Sequence, residues 1–173
     1  DEVAAMFVEP IQGEGGYIVP PSDFIRIIRD MCERHGIAYV DDEVQAGMGK
    51  TGKMLAIEHH GVAGNFTSLA KALGSGVAIG AQVMDAEYDF GAQGAHSNTF
   101  GGNGIALAAA KATLEVMEQE QLVERAAEMG AYFFGKLQEL QTRHESIGDV
   151  RGKGLMLAID FVTSRTTRAH NTE

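Results

Sequence analysis

The sequence predicts an α/β fold in which helices cover a mainly parallel sheet, and three observations lead to this prediction. Apolar residues make up 45% of the 173 residues and charged residues 22%, which is typical of a globular domain with a hydrophobic core. Short apolar runs of strand length alternate with longer segments that have helical spacing. The first three of these segments form a strand–helix–strand unit, the pattern of parallel strands joined by a crossover helix.

The first part of the chain is predicted to contain a strand, a helix and three further strands. Residues 3–8 are an apolar run closed by Glu9 and Pro10, which predicts a buried strand. A helix that ends at Gly36 follows, because apolar residues recur at helical spacing at Phe24, Ile27, Ile28 and Met31. The further strands are predicted at residues 37–40, 66–70 and 77–84.

The character of the sequence changes near residue 120, where strands with polar loops give way to a second long helical segment. Helices are predicted at residues 105–118 and 122–144, and strands at residues 147–151 and 155–161, whereas residues 163–173 show no usable period. Two strands are too few for an independent second domain. We therefore predict that residues 1–120 are part of a large domain, and that residues 121–173 form a linking helix and an incomplete small C-terminal domain.

Composition also limits the classes of function. A net charge of −10 without a basic patch argues against nucleic-acid binding, and no apolar run approaches the roughly 20 residues that a membrane helix requires. The single cysteine, Cys32, permits no internal disulfide and fits a reducing compartment, so we expect a cytoplasmic location. The chain begins at Asp1 and enters a strand-like run at once, so we expect it to be part of a longer protein.

Polar residues follow three of the predicted strands, at the edge where open α/β sheets bind ligands. In chain order these residues are Glu9 and Glu14, then Asp41, Asp42, Glu43 and Gln45, and finally Lys71. Because side chains alternate along a strand, Asp42 points to the opposite face from Asp41 and Glu43. A lysine between an apolar strand and a Gly-Ser-Gly turn is suited to Schiff-base chemistry, although on position alone a surface lysine is the more frequent interpretation.

Two other kinds of site are weaker hypotheses. Gly47, Gly52 and Lys53 match a phosphate-binding P-loop, but Met54 occupies the place of the hydroxyl that binds magnesium, and no helix begins there. A nucleotide hydrolase is therefore a poor alternative. No metal site is predicted, because the adjacent pair His59 and His60 cannot both point to one site on a regular element, and the pair Cys32 and His35 lacks further ligands.

Five segments together resemble class-III aminotransferases, which depend on pyridoxal phosphate and include the 4-aminobutyrate, ornithine and acetylornithine enzymes. In the order of the family they are VEPIQGEGG (8–16), DDEVQAGMGKTGKM (41–54), SLAKALGSG (68–76), HSNTFGGN (96–103) and IGDVRGKGLM (147–156). The resemblance covers about residues 3–162. It implies part of the large, mainly parallel-sheet domain of a fold-type-I transferase, followed by the start of the small domain. The chain thus resembles a central fragment of such an enzyme.

The resemblance also implies roles for individual residues. Lys71 would hold the cofactor as a Schiff base and move protons during catalysis, while Asp42 would pair with the pyridinium nitrogen so that the ring accepts electrons. Val44 would pack on the ring and Gln45 would reach its 3-oxygen. Thr99 would bind the cofactor phosphate of a partner subunit, which implies a homodimer with a shared active site. The remaining site residues are the substrate-side glutamates, Glu9 and Glu14.

The same resemblance places other parts of the active site outside this sequence. The main phosphate-binding loop and the ring-stacking aromatic residue precede the matched region in the family, and a mobile arginine follows it. Lys50 stands where the family often has arginine, and Gly64 and Asn65 replace a usual Pro-Asp pair. The predicted reaction is transfer of an amino group, from an ω-amino acid such as 4-aminobutyrate, to a 2-oxo acid. The alternatives are a racemase or an aminomutase on the same scaffold, or an inactive truncated fragment.

Overall fold

The computed structural model describes residues 2–171 and confirms an α/β fold with a mainly parallel first sheet. The strand order in this sheet is β1-β2-β3-β4. Strands β1 (Ala5–Val8), β2 (Ala38–Asp42) and β3 (Phe66–Leu69) are parallel, while β4 (Ala81–Met84) runs antiparallel to β3. Helix α1 (Phe24–Arg34) connects β1 to β2. The predicted strand–helix–strand unit is therefore present.

The buried residues of α1 are not the ones whose apolar spacing predicted this helix. The buried residues of this helix are Ile25 and Cys32, which pack with Tyr39 and Ile57, whereas Phe24 is 42% exposed and Ile27 is 51% exposed. Positions 25, 28 and 32 follow the i, i+3, i+7 spacing of one helix face. Phe24 and Ile27 lie outside this face, so the apolar spacing did not identify the buried stripe.

The two edge strands of the first sheet are the least buried. The predicted strand at residues 3–8 is present as β1, but it is half-buried rather than buried, because it lies at the edge of the sheet beside β2 and leaves Phe7 70% exposed. At the other edge, the predicted strand at residues 77–84 is shorter than expected, and all four residues of β4 are exposed. An apolar run therefore marked each strand without showing that it lies at an edge of the sheet.

From Gly104 onwards the described chain contains two helices and a three-stranded antiparallel sheet. Helices α2 (Gly104–Gln119) and α3 (Leu122–Arg143) precede strands β5 (Ile147–Lys153), β6 (Met156–Ser164) and β7 (Ala169–His170). Leu137 of α3 packs on Ile147 and Val150 of β5. Strand β7 lies in the tail for which no element was predicted. The division of the chain at residue 120 stays a prediction.

Among residues 2–171, no helix combines the length and apolar character that crossing a membrane would require.

Candidate active site

Asp42 and Lys71 follow neighbouring parallel strands and lie at the same edge of the first sheet. Strand β2 ends at Asp42, which is in register with Ser68 of β3. Lys71 begins a short 3₁₀ turn after β3, with a backbone φ of 44°, and its side chain is exposed. Carboxyl ends of parallel strands meet at one edge of a sheet. The structure therefore brings a carboxylate and an amine to one end of adjacent strands.

Asp42 differs in environment from the carboxyl groups on either side of it. Asp41 and Glu43 are buried, whereas Asp42 is half-buried. The Oδ1 atom of Asp42 accepts a hydrogen bond from the Val44 amide at 3.1 Å. This bond orients the Asp42 carboxylate at the start of the loop that follows β2.

Asp41 and Glu43 serve the packing of the domain. The Ile57 amide donates to Oε1 of Glu43 at 2.8 Å, and the Thr67 hydroxyl donates to Oδ2 of Asp41 at 3.5 Å. Burial, followed by the charge of Glu43, raises the pKa of Asp41 to about 8. Burial also raises the pKa of Glu43, against two hydrogen bonds from backbone amides that lower it. Both groups therefore favour the protonated form more than a solvated carboxyl does.

Glu9 and Glu14, the two glutamates predicted to lie on the substrate side, are in one compact turn, residues 9–18, which we call the glutamate turn. Its base is closed by a bridge between Gln12 and Ile18. The Gly13 amide donates to Oε2 of Glu9 at 2.8 Å. The Gln45 side-chain amide donates to Oε1 of Glu14 at 3.2 Å, so the glutamate turn contacts the loop after β2. The structure thus brings Glu14 and Gln45 together.

Lys50 also contacts this loop, a contact that the sequence-based reasoning missed. Its Nζ atom donates to the Gln45 carbonyl oxygen at 2.9 Å. Burial, followed by the positive charge of Lys71, lowers the pKa of Lys50. Lys50 is therefore close enough to Lys71 to be affected by its charge. The sequence could have indicated this contact, because Lys50 lies in a glycine-rich loop with few other polar side chains. Such a loop needs side-chain donors that bind its backbone carbonyl oxygens.

Two of the predicted site residues have fewer contacts. Val44 is half-buried beside Asp42. Thr99 lies in a segment, residues 89–105, in which every residue is exposed, and its hydroxyl has no hydrogen-bond partner within residues 2–171. The structure therefore does not bring Thr99 into contact with Asp42, Gln45 or Lys71.

The structure gives no support to the P-loop hypothesis. Residues 47–54 form consecutive turns, and the next element is the 3₁₀ helix Ala56–His60 rather than an α-helix whose N-terminus could face a phosphate. In the described part of the chain, His, Cys, Asp and Glu side chains form no group of three that could hold a metal ion.

Comparison with known proteins identifies the family. The family model described as aminotransferase class-III matches residues 1–172. The chain is similar to the acetylornithine aminotransferase of Methanocaldococcus jannaschii, with 45% identity over 93% of this chain and 41% of that protein. It is also similar to the leucine/methionine racemase of Thermococcus litoralis, with 44% identity over 97% of this chain and 38% of that protein.

A solved structure supports the same conclusion. An amine transaminase from an uncultivated Pseudomonas species, in its pyridoxal-phosphate-bound form, superposes with a TM-score of 0.89 at 40% identity, over 96% of this chain and 39% of that one. The chain spans about two fifths of the length of the curated relatives it matches, 41% and 38%. The match of the family model along nearly the whole sequence shows that the chain belongs to the class-III aminotransferases, a family of pyridoxal-phosphate-dependent enzymes.

Proposed function

We propose that this chain is the catalytic centre of a longer enzyme that transfers an amino group from an amino acid to a 2-oxo acid. The observation that carries the proposal is the placement of Asp42 and Lys71 at the carboxyl ends of adjacent parallel strands, β2 and β3. An exposed amine is available for covalent attachment of an aldehyde. A carboxylate fixed one strand away suits a cationic ring nitrogen.

The donor set of the site fits pyridoxal phosphate. Lys71 would attach the cofactor, Asp42 would hold a proton at its ring nitrogen, and the Gln45 amide would donate to its ring oxygen. Val44 would exclude water from one ring face, and Thr99 would donate its hydroxyl to the phosphate bound by a partner subunit. When bound, the cofactor supplies an electron sink for the substrate carbon that loses a proton. Lys71 is the group we propose to take up and return that proton.

The preferred donor in our proposal is an ω-amino acid. The support is the position of Glu14, which is exposed and yet oriented by its hydrogen bond with Gln45 at 3.2 Å. A carboxylate beside the ring pocket can attract the amine of a donor whose own carboxylate lies at the far end of the molecule. Glu9, with its Oε2 bound to the Gly13 amide, keeps the glutamate turn closed beneath Glu14.

A second candidate function is racemisation of an amino acid. One relative at 44% identity is a leucine/methionine racemase, and a racemase would use the same lysine and the same acid at the ring nitrogen. An aminomutase would also share them. Incubating the enzyme with a single amino acid enantiomer, with and without a 2-oxo acid, separates the reactions. A racemase converts the enantiomer without an acceptor, and an aminotransferase consumes both substrates.

The first experiment is a visible absorption spectrum of the chain mixed with pyridoxal phosphate, followed by borohydride reduction and peptide mapping. We expect a new absorption band and a reduced adduct on Lys71, both lost in Lys71→Ala. Lys53→Ala is the matched control, because Lys53 is an exposed lysine that follows the loop after β2. It should keep the band. Adducts spread over several surface lysines would contradict the proposal for this chain and favour an inactive fragment.

We also propose that the longer enzyme is a cytoplasmic homodimer. The support is the exposed Thr99 segment, which has few contacts within the described chain, and the single buried cysteine. Sedimentation analysis of the longer enzyme, with and without cofactor, tests the dimer. A monomer that binds cofactor at full occupancy would contradict a shared active site.

A further inference from the structure

Arg151, on strand β5 of the second sheet, reaches across to the glutamate turn. Its Nε atom donates to the Gly16 carbonyl oxygen at 2.8 Å. One guanidinium nitrogen, Nη1, contacts Asp149 at 2.9 Å and Asp160 at 3.7 Å. The side chain is only 26% exposed. The two carboxylates hold Nη1 on the second sheet, while Nε donates to the turn.

The backbone at Gly16 is shaped for this contact. Gly16 has a φ of 110°, a conformation that L-residues rarely adopt. A Cβ atom at this position would lie 3.1 Å from the Nη2 atom of Arg151. Glycine therefore allows both the sharp turn and the close approach of the guanidinium.

A chain of contacts then leads from Arg151 to Glu14. The Gly16 and Tyr17 amides donate to the Gly13 carbonyl oxygen at 3.0 and 3.2 Å. Glu14 lies in the loop that these two bonds close, and the Gln45 side chain donates to its carboxylate. At the base of the turn, Tyr17 packs against a buried cluster that includes Met156 of β6. Apolar packing thus holds the base, and Arg151 holds the Gly16–Tyr17 peptide, two residues after Glu14.

We propose that Arg151 is a positioning residue that fixes Glu14 beside the loop after β2 and couples the glutamate turn to the second sheet. The expected effect of Arg151 on substrate binding rests on the proposed function, in which Glu14 attracts the donor amine. A shift of the second sheet would move the Gly16 peptide and, with it, the Glu14 carboxylate.

The test compares Arg151→Met, Arg151→Lys and Arg165→Met by hydrogen exchange of the peptide covering residues 9–18. Arg165 is the control, because its guanidinium contacts the carbonyl oxygens of Gln141, His144 and Ile147 and none in the glutamate turn. Loss of a charge-assisted hydrogen bond should speed exchange at Gly16 and Tyr17 by about tenfold. Arg151→Lys should restore part of the protection. Circular dichroism checks that each variant is folded.

The second readout is steady-state kinetics of the longer enzyme. For an ω-amino donor we expect Arg151→Met to raise KM by about tenfold with a smaller effect on kcat, because binding energy is lost before the chemical step. Unchanged exchange in residues 9–18, or equal acceleration by Arg165→Met, would overturn the proposal. Failure of Lys71 to capture pyridoxal phosphate would instead refute the proposed function, because the exchange measurement needs no cofactor.

Discussion

Two regions that carry predicted site residues differ sharply in how they are held. The packed region, residues 39–57, contains Asp42, Val44 and Gln45, and most of its residues are buried. The open segment, residues 89–105, contains Thr99, and Phe100 within it is 80% exposed. The first region is ordered by contacts within this chain, including buried carboxyl groups. The difference shows that one half of the proposed site is organised by the chain itself, whereas the other half has little to orient it.

The largest expected difference between the regions is in the change of unfolding free energy when one glycine in each is replaced by alanine. A Cβ at Gly47 would lie 2.7 Å from the Glu43 carbonyl oxygen and 2.9 Å from its Cβ, whereas a Cβ at Gly104 would meet nothing within 4 Å. Overpacking should make Gly47→Ala less stable by about 3 kcal/mol. Gly104→Ala should gain about 0.5 kcal/mol from reduced entropy of the unfolded chain. Denaturant unfolding of both variants tests this, and equal effects would remove the distinction between the regions.

The next effect concerns the buried acceptor in the packed region. Glu43→Ala removes the partner of the Ile57 amide, and an unpaired buried donor should cost about 2 kcal/mol of unfolding free energy. Glu43→Gln keeps an acceptor oxygen at this position and should cost less than half as much. Urea titration at one pH compares the two variants. An equal loss for both would mean that the negative charge, rather than the hydrogen bond, is what the packed region needs.

A third prediction concerns the dependence of stability on pH. The folded protein holds a proton on Asp41 up to a pKa of about 8, whereas the unfolded chain releases it near the ordinary value of 3.8. The contribution of Asp41 to the free energy of unfolding is therefore fully present below pH 3.8 and is lost as pH rises towards 8. Asp41→Asn should reduce this loss by about 1 kcal/mol per pH unit around neutrality. Unfolding free energies at pH 5, 6, 7 and 8 provide the slopes, and parallel slopes would contradict the assignment.

The smallest effect is expected on the helix that follows the open segment. Leu107 is 52% exposed on α2, and leucine and glutamine have similar helix propensity. Leu107→Gln should change the unfolding free energy of this chain by less than about 0.5 kcal/mol. Thermal unfolding tests the prediction. A larger loss would show that the exposed apolar side of α2 is covered when the chain associates in solution.

Much of this organisation was predictable from the sequence, for identifiable reasons. Helices α1, α2 and α3 were predicted near their observed positions because their apolar spacing extends over several turns. Alternation along β2 predicted that Asp42 points away from Asp41 and Glu43, and Asp42 is less buried than either of them. The position of Lys71 suggested Schiff-base chemistry, but only the family resemblance favoured this role over that of a surface lysine. The role of Thr99 came from the resemblance alone, because a single threonine in a loop carries no local pattern.

The remaining features depend on contacts between residues far apart in the chain. The antiparallel pairing of β4 and the exposure of Phe7 follow from the order of strands in the sheet, which apolar runs do not encode. Strand β7 pairs with β6 although both of its residues, Ala169 and His170, are exposed. The Arg151 contact spans 135 positions and joins the glutamate turn to the second sheet, so no spacing rule could reveal it.

The buried cysteine under α1 allows the local opening of this core to be followed by its rate of chemical modification. Cys32 is the one cysteine of the sequence, and it lies buried against Tyr39 and Ile57. Burial raises the pKa of its thiol, which reduces the thiolate available to an alkylating reagent. Covalent modification of the native protein therefore has to wait until α1 lifts from β2. The rate at which one mass adduct accumulates measures that opening directly, in the unmodified sequence and in every variant described above.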